Sequence, residues 1–82
     1  MATKDDLKTW VLEALRFHGG TAKLVRVAEH IWQNHNKELE RLGDLFFRWQ
    51  YDMRWAAMEL RKVGKLKPDG ETPRGVWALE VN

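Results

Sequence analysis

The chain has 82 residues, no cysteine and a formal net charge of +2, with a sequence pI near 9.2. A chain this short makes one small domain that buries only about 60% of its unfolded surface, and five Trp, three Phe and one Tyr supply much of the apolar area. Without cysteine there is no disulfide and no thiolate metal site, which fits a reducing cytoplasm. The opening MATKDDLKTW is not a signal peptide, and no run approaches the roughly 18 apolar residues of a membrane span.

In chain order, Thr3 and Asp6 have the spacing of a capping box, and Asp5 and Asp6 suit the positive end of a helix. Leu7, Trp10, Val11, Ala14 and Leu15, with His18 at the margin, recur at steps of three and four and predict a first helix over residues 4–18. Gly19-Gly20 stops it, because glycine accepts the left-handed conformation that closes a helix. Thr21-Ala22-Lys23 is a short extended piece with room for one strand. Leu24, Val27, Ala28 and Ile31, with Trp32 and His35 at the margin, predict a second helix over residues 24–35. The polar run from Asn36 reads as a loop with at most one helical turn, and Asp44 can cap the next helix.

The third helix starts between Leu45 and Gln50, or as two helical pieces meeting near Arg48, and runs to Val63, where Gly64 stops it. Trp49, Met53, Ala56, Leu60 and Val63 line one side, with Ala57 at the edge of the stripe. The other side carries Phe47, Tyr51, Arg54, Met58, Arg61 and Lys62. Charge is concentrated here: residues 48–67 hold six Lys/Arg against Asp52 and Glu59, while residues 1–40 are neutral overall. Lys65-Leu66-Lys67 then alternates like a half-buried strand, Pro68-Asp69-Gly70 is a turn, and residues 76–81 read as the returning strand. The fold expected is mainly α with a small β-hairpin, a winged helix-turn-helix in which a three-helix bundle carries the 65–81 hairpin as a wing, all within one domain.

That arrangement points to double-stranded DNA as partner, with helix 3 in the major groove. Arg48, Gln50, Arg54 and Met58 lie toward the half of the helix that enters a groove, with Arg54 the first candidate for base or phosphate contact. Tyr51 and Arg61 share its face, and the Tyr51 hydroxyl can reach a phosphate. Lys62, Lys65, Lys67 and Arg74 are candidate backbone contacts, each of which reads equally as a solvated charge. Trp55 sits roughly opposite the apolar stripe and is read as a packing residue, against the 36–44 loop or across a bent helix. The histidines, with His30 and His35 five apart on different faces, do not make a metal site. No nucleophile–base arrangement or phosphate loop points to catalysis, a cofactor or a small-molecule substrate. A second reading assigns Phe47, Tyr51, Trp55 and Met58 to a protein–protein or dimerisation surface, to a homodimer or a separate partner such as a nuclease. RNA is a distant third.

Tyr51-Asp52-Met53-Arg54-Trp55-Ala56, then Leu60-Arg61-Lys62-Val63-Gly64-Lys65-Leu66, then Arg74-Gly75-Val76-Trp77-Ala78-Leu79 resemble the N-terminal domain of Mrr-type restriction endonucleases. Trp55-Ala56, Leu60, Lys62, Gly64 and Leu66 match the first part of that family's pattern, and Arg74-Gly75, Trp77 and Leu79 match the second. The resemblance implies a winged-helix DNA-binding domain from a prokaryotic restriction or defence system, with a weaker link to modified DNA. The chain departs from the family in closing on Glu80-Val81-Asn82, and it carries no nuclease constellation. The expectation is a free-standing DNA-binding protein or an excised domain, not an enzyme.

Overall fold

The computed structural model describes residues 4–41, 44–68 and 70–80, with the side chains of residues 44–47 outside the description. The elements run α1 (Asp6–Phe17), β1 (Thr21–Lys23), α2 (Leu24–Glu40), α3 (Asp44–Lys62) and β2 (Val76–Ala78). The protein is thus mainly helical with a two-stranded antiparallel sheet, an order compatible with the one read from the sequence.

Each helix is amphipathic, and its apolar stripe makes the core. Leu7, Trp10, Val11, Ala14 and Leu15 of α1 meet Val27, Ile31 and Leu39 of α2 and Trp49, Met53, Ala56, Ala57 and Leu60 of α3. Val63 does not join them: it lies past the last turn of α3 and is 68% exposed. Asp52 is buried on α3, with one carboxylate oxygen 3.9 Å from the Arg48 guanidinium one turn earlier.

Two helices end in the same way. The Gly20 N–H donates to the Leu15 carbonyl at 2.7 Å and the Gly19 N–H to Arg16 at 3.2 Å. At the end of α3 the Lys65 N–H reaches Leu60 at 2.9 Å and the Gly64 N–H reaches Arg61 at 3.1 Å. This paired pattern satisfies carbonyls of the last turn that have no partner within the helix, and it needs a left-handed residue, supplied by Gly19 at φ +83° and Gly64 at φ +79°.

The expected start of α1 needs correcting. Asp5 takes the capping position without a side-chain bond, and Thr3 lies outside the described residues. The second helix is longer than its periodicity indicates, continuing through the expected loop to Glu40. His35 (φ −131°, ψ 16°) kinks it. The Asn34 amide donates to the His30 carbonyl at 2.8 Å and so competes for an acceptor of the helix ladder. Beyond the kink the chain stays helical because Leu39 is buried and His35 is fixed. Its ring stacks on Trp10 at 4.1 Å, and its nitrogens lie 3.2 Å from Glu13 and 3.1 Å from Glu38. The third helix is continuous and begins at Asp44.

The hairpin is also redrawn. The partner of β2 is β1, with Thr21 opposite Ala78, Ala22 opposite Trp77 and Lys23 opposite Val76. The expected strand at Lys65–Lys67 is reduced to a single bridge between Leu66 and Leu79 on the other edge of β2. Flanking bonds run from the Lys67 N–H to Ala78 and from the Glu80 N–H to Lys65. The loop before β2 folds back on α2, where the Leu24 N–H donates to the Gly75 carbonyl at 2.8 Å. Within the expected turn, Asp69 lies outside the described residues.

Candidate nucleic-acid interface

The outward side of α3 faces two open clefts of about 650 Å³ each. The first lies between the middle of α3, the first turn of α2 and the loop before β2. Gln50, Tyr51, Met53 and Arg54 line it from α3, Lys23, Leu24, Val25 and Ala28 from the start of α2, and Arg74 and Gly75 from the loop. The second continues along α3 past Arg54 and Met58 to Arg61, and is lined also by Trp55, Ala57 and Trp77. Leu24, Tyr51 and Arg54 line both, so the two clefts adjoin and together make a trough along α3.

Helical spacing sets this arrangement. Residues 50, 51, 54, 58 and 61 follow steps of one, three and four, so they share a face roughly opposite Trp49, Met53, Ala56 and Leu60. Burying the second set turns the first outward. Tyr51 is 70% and Met58 50% exposed, and Arg54 is exposed, while Arg61 is half-buried at the far end.

The lining is cationic. Lys23, Arg54, Arg61 and Arg74 contribute to the trough, and among the described residues no Asp or Glu lines it. Lys23, Arg54 and Arg74 form no ion pair among the described residues. The first turn of α2 opens on the same space: it has no acidic residue, and its capping residue Lys23 makes no side-chain bond to the first-turn amides. The Leu24 N–H of that turn is already bonded to the Gly75 carbonyl, so it is the three cations that bring positive charge, from three separate segments of chain.

The residues expected from sequence divide three ways. Gln50, Tyr51, Arg54, Met58, Arg61 and Arg74 converge on the trough. Arg48, Lys62 and Lys65 do not line it. Arg48 is drawn toward Asp52 and lies over the Tyr51 ring at 5.8 Å, and Lys62 pairs with Glu59 at 3.0 Å. Lys67 belongs elsewhere: it lines a separate cleft with Arg16, Gly19 and Gly20, because the bridge to β2 carries it away from α3. Of the candidate backbone contacts, Lys67 thus stands apart from Arg74 and the trough along α3. Trp55 packs as expected but against a different element, half-buried under Lys4 and Lys8 at the start of α1, whose ammonium groups lie 4.5 and 5.1 Å from its ring centroid. The side chain of Phe47 lies outside the description.

Lys23, Leu24, Val25 and Trp77 are trough residues that sequence reasoning missed. The one local signal was the exposed Val25 beside an otherwise regular stripe. Their convergence on α3 depends on the β1–β2 pairing.

Among the described residues no histidine or carboxylate lines the trough. Among the described residues no group of three or more His, Cys, Asp or Glu is placed to hold a metal ion. No helix there is long and apolar enough to cross a membrane. Comparison of the chain with protein-family models, curated proteins and solved structures returns no match.

Proposed function

We propose that the protein is a non-enzymatic winged-helix module that binds double-stranded DNA in the cytoplasm, with α3 in the major groove and the loop before β2 acting as the wing. The observation that carries this reading is the trough: an exposed helix face flanked by cations from three segments, with no acid among its described lining residues. Cations at that density have little structural purpose, since Lys23, Arg54 and Arg74 make no ion pair among the described residues. A polyphosphate backbone satisfies all of them at once. The resemblance to the N-terminal domain of Mrr-type restriction endonucleases agrees, and a restriction or defence system is the setting it implies.

The test is duplex binding measured by fluorescence anisotropy across a salt series. Wild-type protein is expected to bind at low salt and to weaken steeply as salt rises. Arg54→Ala combined with Arg74→Ala is expected to weaken binding about tenfold or more with an unchanged far-ultraviolet spectrum, since both side chains are exposed. No duplex affinity at low salt, or indifference to the double substitution, sinks the reading.

A second reading draws on the exposure of Tyr51 and Met58, a pair of large apolar side chains on one helix face. It assigns that face to a second copy or a partner protein. It is weakened by Trp55, which lines the same cleft but is half-buried and covered in part by the Lys4 and Lys8 ammonium groups. Concentration-dependent sedimentation abolished by Tyr51→Ala, with no response to DNA, would favour it.

A further inference from the structure

Gln50 and Arg54 stand one turn apart on α3 and line the same cleft as Val25, which belongs to the first turn of α2. All three are exposed, Val25 at 55%. A valine has no donor to offer a phosphate, so its exposure among cations is unexplained by backbone binding alone. The major-groove edge of an A·T pair presents adenine N7 and N6, which a glutamine carboxamide can bond bidentately, and the thymine methyl, which needs an apolar contact. Gln50 and Val25 supply those two complements from two helices facing one cleft. The Arg54 guanidinium matches guanine N7 and O6 in the same way. Four residues rise about 6 Å along a helix, close to two base-pair steps of roughly 3.4 Å each. Arg48, held toward Asp52 at 3.9 Å, does not compete for this task.

Resting on the DNA-binding reading above, we propose that the trough is sequence-specific: Gln50 and Val25 together read one A·T pair, and Arg54 reads a guanine within two base pairs of it. Lys23 and Arg74 hold the backbone and carry no preference.

The experiment is selection of bound duplexes from a randomised pool, with titrations of the selected site afterwards. A motif containing an A·T pair and a guanine within two steps is expected. Gln50→Ala should reduce preference at the A·T position alone, and Arg54→Ala preference at the guanine alone, each by about tenfold. Replacing the motif's thymine by uracil removes only the methyl group. It should weaken wild-type binding several-fold and leave Val25→Ser unaffected. Salt-sensitive binding with no enriched motif, or a motif that survives both α3 substitutions, overturns this inference and leaves DNA binding intact. Failure of the wild type to bind any duplex at low salt overturns both, and the salt series separates the two outcomes.

Discussion

At the scale of single residues, conformation and charge each give a sharp expectation. Gly64 sits at φ +79° with open space where a Cβ would project. Gly64→Ala therefore meets no clash, and its cost is the left-handed backbone alone, about 1–2 kcal/mol in urea unfolding. His30 touches Phe17, ring centroids 4.8 Å apart, with His18 close by. Burial pushes its pKa below the ordinary value of 6.5, the neighbouring His18 and His35 push the same way, and Glu13 opposes them. A lowered histidine pKa means that the unfolded chain binds more protons just below pH 6.5. This contribution to stability is complete above pH 6.5 and is lost as pH falls through the folded value. Urea midpoints between pH 5 and 7 should rise with pH, and His30→Gln should flatten that rise. Equal slopes would place the linkage elsewhere.

At the scale of elements, the second half of α2 is the informative case. Asn36–Glu40 is polar except for Leu39, and Asn34 and Asn36 give turn signals at its start. It is helical because Leu39 is fully buried and because His35 reaches Glu13 on α1 and Glu38 beyond the kink. Carboxylates only accept hydrogen bonds, so both contacts are hydrogen bonds only when both ring nitrogens carry protons. Leu39→Ala should cost about 2–5 kcal/mol, a large share of the stability of a domain this size. Amide exchange should locate the loss: protection of residues 36–40 should fall before that of α1 and α3. Uniform loss across all three helices would show that the extension is no separate unit.

At the scale of the whole molecule, the trough exists because distant segments meet. Lys23 enters it from the start of α2, Arg54 and Arg61 from α3, and Arg74 from the loop before β2. If Lys23, Arg61 and Arg74 each neutralise one phosphate while Arg54 faces a base, the logarithm of affinity should fall with the logarithm of salt at a slope of about −3. Lys23→Ala should lower that slope by about one, as should Arg74→Ala, while Lys67→Ala should leave it unchanged because Lys67 lines a different cleft. An equal effect of Lys67 would mean that DNA lies across the sheet and not along α3.

The sequence by itself determined the features that depend on neighbours three or four residues away. Those features are the three helices, the stops at Gly19-Gly20 and Gly64, the buried stripes, and the outward face that carries Tyr51, Arg54 and Met58. Side-chain direction in a helix is set by its period, and burying one face exposes the other. Tertiary structure alone decided that Thr21–Lys23 pairs with Val76–Ala78 and that Lys67 turns away while Lys23 and Val25 join the trough. It also decided that the chain beyond His35 stays helical. Strand pairing brings together residues more than fifty positions apart, and its register is set by which faces must be buried, a condition that no local pattern carries.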